Sequence, residues 1–314
     1  MSVLAALVLL SAPPATAMSE CLPKPSLDGT RRLPNGRWSK DTHARLTELL
    51  DSRGAPSETF DPCRRPLAVI DLDHTFLDGD LAERAVELAL EDGLVRSSPE
   101  LLGVLPEDLR SKLADAKDAP AIRTAVLETY AALAERDRAA SRAWLAQLFL
   151  GSSRDKLAVF AAQFMTRAFS DPPDAEGARP LRVRSELYEL AATLSARGFD
   201  VFVITDSPEW LARAISSKLG VRPDRVLGIR LADPGVLGAR VSPPVPEGGG
   251  KVQVIRTRIA PGGRVPALVV ADAALDLAML SDASGLAVLI DRGDATLAAL
   301  AASKSFAVQA AFVP

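Results

Sequence analysis

Histidine and cysteine are nearly missing from this chain: its 314 residues hold two of each. With His43 and His74 as the only imidazoles, a histidine-rich metal site or a Ser-His-Asp triad has almost nothing to be built from. Neither Cys21 nor Cys63 stands near a histidine in a zinc-like spacing. Aromatic residues make up 5% of the chain, too few for the stacking platforms that hold single-stranded nucleic acid. An excess of positive charge is lacking too. Lys plus Arg total 37 against 40 Asp plus Glu, a formal net charge of -3, which gives no support to a nucleic-acid binder. Beyond the first residues, no apolar run is long enough to span a bilayer, so stable membrane insertion of the mature chain is not expected.

What is present starts with a leader-like segment. Leu4 to Leu10 is apolar, Pro13-Pro14 breaks it, and Ala15-Thr16-Ala17 resembles a signal-peptidase site, although no Lys or Arg precedes the apolar stretch. The pattern predicts export, periplasmic or secreted, with residues 1–17 removed. A disordered start or a misplaced first codon is the alternative, and then the protein stays in the cytoplasm. In an exported chain Cys21 and Cys63 would close a disulfide clipping the N-terminal extension to the core; otherwise they remain two thiols. Nothing in the sequence speaks to oligomeric state.

At 33.2 kDa the chain can bury a large core with a smaller unit beside it. Residues 18–65 form an extension with one helix, Ser39 to Ser52, carrying Leu46, Leu49 and Leu50 on one side. Leu67 to Asp71 is short, apolar and bounded by turn residues, and so predicts a buried strand. From 80 to 179 the spacing is helical almost throughout, with stretches at 107–116, 121–136, 139–150 and 153–169. An all-helical insertion of that length fits a separate cap better than a strand crossover. Strand and helix then alternate: a helix at 183–197, strands at 201–204 and 226–230, a helix at 208–218, another from Lys251, a strand at 267–270, a helix at 275–280 and a strand at 286–290. The expected architecture is α/β, a Rossmann-like, mostly parallel sheet over 66–79 and 180–314, with the helical cap inserted. Sites in such folds lie beyond the C-terminal ends of the strands.

Three strand ends carry the chemistry. The first offers Asp71 and Asp73, the second Thr205-Asp206-Ser207, and the third Asp272 with Asp276, while Lys251 opens the helix between the last two. Taken singly, each residue has an ordinary reading: strand-end turn, helix N-cap, solvated lysine, first-turn acid. Together they make a carboxylate cluster with one lysine, the set that phosphoryl transfer to a carboxylate around a hard cation needs.

This set resembles the four motifs of the haloacid dehalogenase-like hydrolase superfamily, in the family's order, over residues 66 to 290. Asp71-Leu72-Asp73-His74-Thr75 is similar to the first motif, Thr205 to the second, Lys251 of Gly250-Lys251 to the third, and Asp272 with Asp276 to the fourth. The resemblance implies a Mg²⁺-dependent phosphatase of small phosphomonoesters. Asp71 is then the nucleophile and Asp73 the acid and base, while Thr205 and Lys251 bind phosphate together with backbone N–H groups after Asp71. It implies Mg²⁺ held by Asp71, the Asp73 carbonyl and Asp272, with Asp276 supporting that shell. The fourth motif departs from the family's usual form: Ala271, Ala273 and Leu275 stand where Gly, Ser and Gly are usual, which puts metal affinity in question. Gly36-Arg37-Trp38, Asp80 to Glu83, Thr205 to Trp210 and Val308-Gln309 are also similar to exported phosphorylcholine phosphatases. For an onium pocket the candidate rings are Tyr130, Trp144, Phe160, Phe164 and Trp210. Phosphotransfer to an alcohol, and a catalytically weak relative kept as a phosphate- or partner-binding module, are the competing functions.

Overall fold

The computed structural model of the protein describes residues 31–95, 99–170, 180–231 and 240–312. Residues 1–17 and Cys21 lie outside the described residues; Cys63 is not a free thiol.

Strand β1 (Leu67–Asp71) lies at the centre of a seven-stranded sheet because both of its faces are apolar. Ala68 and Ile70 point into one hydrophobic layer, Leu67 and Val69 into the other, so helices can cover both sides. It is joined by β4 (Asp200–Pro208), β5 (Val226–Leu231), β6 (Val241–Ser242), β7 (Leu268–Ala271), β8 (Leu286–Asp291) and β9 (Ala307–Ala310). The order across the sheet is β6-β5-β4-β1-β7-β8-β9, parallel throughout except for the antiparallel edge pair β5/β6. Chain order reverses on either side of β1, and the crevice this opens at the C-terminal strand ends is where ligands of such sheets bind.

One layer holds α1 (Lys40–Arg53) and α8 (Ser185–Ala196). The other is lined by Val254 of α11 (Gly249–Val254), Met279 and Leu280 of α12 (Leu277–Ser281), and Leu297 and Ala301 of α13 (Ala295–Ser303). The extension is therefore part of the core packing. Leu46, Leu49 and Leu50 of α1 are buried, and Ser39 caps the helix by accepting from the Thr42 N–H at 3.2 Å. Gln309 of β9 accepts from the Ser39 N–H at 2.7 Å and donates to the Arg37 carbonyl at 3.3 Å, stitching the extension to the last strand.

Between β1 and β4 the chain leaves and re-enters through a two-residue antiparallel ribbon, β2 (Leu77–Asp78) against β3 (Arg182–Val183). Gly79 follows with φ 121°, and a Cβ there would lie 2.7 Å from Leu181 Cδ2. A side chain there would be strained by the backbone and would have to push the Leu181 methyl aside. The helices beyond it are α2 (Leu81–Glu91), α3 (Pro99–Gly103), α4 (Glu107–Asp115), α5 (Ala119–Arg136), α6 (Arg138–Gln147) and α7 (Arg154–Arg167). No helix among the described residues is long and apolar enough to cross a membrane.

The structure departs from the sequence reading at several ends. The expected 208–218 helix is two short pieces, α9 (Glu209–Ala214) and α10 (Ser216–Leu219), and Pro208 belongs to the strand. The helix expected at 275–280 starts at Leu277, after a 3₁₀ turn over Ala274–Asp276. The elements β6, α13 and β9 were not expected at all. The short edge strands lack the continuous apolar runs of the buried ones, and an Ala-rich helix gives no clear 3.6-residue periodicity.

Candidate active site

Directly after β1 the backbone cannot continue in either regular form. Leu72–Phe76 makes a wide turn in which Asp73 is extended (φ -71°, ψ 130°) and His74 is left-handed (φ 60°, ψ -9°). This kink sends the two carboxylates, one residue apart in sequence, into two different environments.

Asp71 enters a carboxylate cluster. One oxygen each of Asp71, Asp272 and Asp276 lie within 4.8 Å of one another, and all three residues are buried. Asp272 sits just past β7, and Asp276 in the turn before α12. Lys251 of α11 donates from Nζ to Asp71 Oδ1 and to Asp276 Oδ1, both at 2.6 Å. The lysine is placed by a tight approach one residue earlier: a Cβ on Gly250 would fall 1.8 Å from the Val245 carbonyl oxygen. Asp272 is held by the Thr75 hydroxyl, which donates to Oδ1 at 2.9 Å, and by Arg292 Nη1, 3.0 Å from Oδ2.

Burial pushes the Asp71 carboxyl well up from its ordinary value; Lys251 pulls it down, and Asp276 and Asp272 push it up again. Asp276 is raised by burial against the same pull from Lys251. Burial alone would lower the Lys251 ammonium, but Asp276 and Asp71 hold it well above its usual range. Negative charge therefore exceeds what the lysine can neutralise, the demand that a hard divalent cation meets. Three buried carboxylates with converging oxygens fit such an ion.

Asp73 faces away from that cluster. Its Oδ1 accepts from the Leu81 N–H at 2.7 Å; its Oδ2 accepts from the Thr205 hydroxyl at 2.5 Å and the Ser207 hydroxyl at 2.9 Å. The Ser207 N–H in turn donates to Thr205 Oγ1 at 2.9 Å. Burial, then the nearby Asp80 and Asp206 charges, raise the Asp73 carboxyl to about 7, against the opposing pull of Arg142. A carboxyl poised there can give up and take back a proton near neutrality.

Asp71, Asp73, Thr205, Lys251, Asp272 and Asp276 thus meet at one end of the sheet, with two differences in detail from the expectation. Asp276 stands beside Asp71 and Asp272 as a possible cation ligand, bonded to Lys251. Thr205 has its hydroxyl committed to Asp73, where a phosphate contact was expected. Sequence reasoning quoted Thr75 and Ser207 within its motifs but gave them no role, and it missed Arg142 and Arg292. Ser207 had a usable signal in its place two residues after Thr205, but an arginine among many has none. Of the five candidate rings, Trp144, Phe160 and Phe164 are buried, leaving Tyr130 and Trp210 half-buried. Phe149 and Phe160 of the insertion pack against Trp210 of α9, with centroids 5.2 and 6.3 Å from it. His74 takes part in the backbone kink, and burial lowers its imidazole.

Residues 68–281 match the family model described as haloacid dehalogenase-like hydrolase. No curated protein matches the chain in sequence. Among solved structures, a conserved functionally unknown protein from Anaerococcus prevotii DSM 20548 superposes with a TM-score of 0.64 at 16% identity, covering 89% of this chain and 94% of that one. A protein of unknown function from Bordetella pertussis Tohama I gives 0.55 at 17% identity, over 77% of this chain and 96% of the other. These two likenesses concern the fold. The family match spans more than half of the chain and takes in the strand ends where Asp71, Thr205, Lys251, Asp272 and Asp276 converge, so the protein belongs to the haloacid dehalogenase-like hydrolases.

Proposed function

We propose that this protein is a Mg²⁺-dependent phosphomonoesterase acting on a small phosphorylated metabolite through an aspartyl-phosphate at Asp71. The observation that carries the reading is the sorting of Asp71 and Asp73. One sits in a cluster short of positive charge; the other is held by hydroxyls in a buried niche where burial and the Asp80 and Asp206 charges raise it to about 7. A carboxylate paired with Lys251 beside a would-be cation site supplies a nucleophile, and one held by hydroxyls away from that site supplies an acid.

In the first step an Asp71 carboxylate oxygen attacks phosphorus and the bond from phosphorus to the ester oxygen breaks. The Asp73 carboxylic acid gives its proton to that departing oxygen, releasing the alcohol. In the second step a water oxygen attacks phosphorus while the Asp73 carboxylate takes the water proton. The bond from phosphorus to Asp71 breaks, freeing phosphate and restoring both carboxyl groups. Lys251 neutralises charge on Asp71 and on the phosphate oxygens, and Thr205 and Ser207 keep the Asp73 carboxyl aimed. Asp71, Asp272 and Asp276, with the Asp73 carbonyl, are the groups to hold Mg²⁺, which when bound supplies charge stabilisation for the transferring phosphoryl group. Burial of both Asp71 and Asp73 supports a small substrate.

The substitutions Ala271, Ala273 and Leu275 are the ground for the competing reading, a catalytically weak phosphate-binding relative. Against it, the carboxylates still converge. For phosphocholine, three of the five candidate rings are packed inside the insertion, so few aromatic faces remain for an onium group. Export rests on the Leu4 to Ala17 pattern alone, and cell fractionation tests it.

The deciding experiment measures phosphate release from p-nitrophenyl phosphate, phosphocholine, phosphoserine, sugar phosphates and nucleotides, with Mg²⁺ and with chelator. Mg²⁺-dependent turnover is expected, and its ranking names the substrate class. Added alcohol separates hydrolysis from phosphotransfer. No turnover on any substrate by the folded, Mg²⁺-supplied chain favours the binding module.

A further inference from the structure

Arg142 of α6 is fully buried, yet the catalytic scheme gives it no task. Its Nη2 lies 2.7 Å from Asp206 Oδ1 and 3.0 Å from Asp80 Oδ2, and its Nη1 donates to the Tyr130 hydroxyl at 3.2 Å. Tyr130 Oη donates onward to Glu83 Oε1 at 3.1 Å. The chain positions of the two aspartates matter. Asp206 lies between Thr205 and Ser207, whose hydroxyls hold Asp73 Oδ2. Asp80 immediately precedes Leu81, whose N–H holds Asp73 Oδ1. Each side-chain hydrogen bond to Asp73 therefore comes from a residue adjacent in sequence to a carboxylate that Arg142 grips. Besides Asp73 itself, Arg142 ties the β4 end to the start of α2, and it does so from within the insertion.

We propose that Arg142 is a positioning residue for Asp73: its two ion pairs fix the segments that aim the Asp73 carboxyl at the ester oxygen. The inference rests on the phosphatase reading and on Asp73 as the acid. Nη2 meets both carboxylates while Nη1 meets the Tyr130 hydroxyl, so the guanidinium plane is held at two nitrogens, which a lysine's single ammonium cannot reproduce. Mispositioning a reacting group by about 1 Å can cost on the order of 10²-fold in rate.

The test compares p-nitrophenyl phosphate with phenyl phosphate. The p-nitrophenolate departs readily without a proton, whereas phenolate needs the acid more. Arg142→Met is expected to lower kcat on phenyl phosphate about tenfold more than on p-nitrophenyl phosphate, with KM changed little. Asp73→Asn should show the same asymmetry, and adding Arg142→Met to it should deepen that asymmetry no further. Arg142→Lys, which keeps the charge but not the fork, should fall between wild type and Arg142→Met, and it decides the matter if the methionine variant does not fold. Equal losses on both esters, or none, overturn the positioning role while the phosphatase reading stands. An Asp73→Asn variant without asymmetry overturns Asp73 as the acid and the positioning role with it, and a wild-type chain that hydrolyses neither ester overturns the phosphatase reading as well.

Discussion

Arg292 and Asp272 meet at 3.0 Å on Asp272 Oδ2, and Asp272 is one of the three carboxylates that would hold a cation in the cluster. The guanidinium comes from the loop after β8 and is about half exposed, so it can turn away into solvent. Cation and arginine therefore compete for one carboxylate. Replacing Arg292 by Gln is expected to tighten Mg²⁺ or Mn²⁺ binding by about tenfold, roughly 1.4 kcal/mol, in calorimetric titration of the purified protein. Weaker binding in the variant would show that Arg292 helps to build the site.

Lys251 is the only cation hydrogen-bonded to Asp71 and Asp276 among the described residues. Its removal leaves two buried carboxylates facing each other without compensation. Lys251→Met should destabilise the protein by about 3–5 kcal/mol and abolish turnover. Adding Asp276→Asn removes one of the stranded charges and should restore part of the lost stability. Denaturant midpoints of the single and double variants read this directly. A double variant less stable than Lys251→Met contradicts the charge argument.

Glu247 supplies the pH dependence. Burial, a hydrogen bond to Asp206 and the Asp206 charge raise it to about 7, while Arg142 and Lys251 outweigh burial at Asp206 and take it down to about 2. Glu247 is then the proton donor and Asp206 the acceptor. A carboxyl raised above its unfolded value makes the folded state bind the extra proton. Its stabilising share is complete below the unfolded value of about 4.5 and is lost as pH rises through about 7. Glu247→Gln keeps a donor to Asp206 without the titration. Solvent screening reduces the effect, so the variant should gain on the order of 1 kcal/mol over wild type between pH 5 and pH 8. A stability difference independent of pH over that window rules this out.

Phe149 joins the insertion to the sheet domain. It is buried, edge-on to Trp210 at 5.2 Å and tilted against Phe160 at 5.6 Å. Truncation leaves a cavity at the joint, so Phe149→Ala should cost about 3–5 kcal/mol. Hydrogen exchange should quicken in α6 and α7 before it does in β1. A global loss of protection with no such order would mean that the insertion and the sheet unfold as one unit.

The central strands and the clustered carboxylates were legible in the sequence because burial on both faces writes a continuous apolar run. Leu67 to Asp71 ends in a carboxylate and Leu268 to Ala271 is followed by one, Asp272, and a core asks for neither. Lys251 was legible through its neighbours, Gly248-Gly249-Gly250 before it and a helix after. What stayed hidden depends on contacts between distant parts of the chain. Arg142 lies 62 residues from Asp80 and 64 from Asp206, and no local pattern marks it. Thr205 was found but assigned to phosphate, since only the fold reveals that its hydroxyl meets Asp73. The insertion's aromatics were visible as a set, yet their spacing could not tell a packed interior from an open cage.

The most direct test of the account is to quench the enzyme during turnover of p-nitrophenyl phosphate and look for phosphate on Asp71. Acid quenching, borohydride reduction and peptide mass analysis are expected to find homoserine at position 71 in the wild type, and none in Asp71→Asn, which should also be inactive. Mg²⁺-dependent turnover that persists in Asp71→Asn, or that leaves Asp71 unlabelled while another residue carries the phosphoryl group, would contradict it.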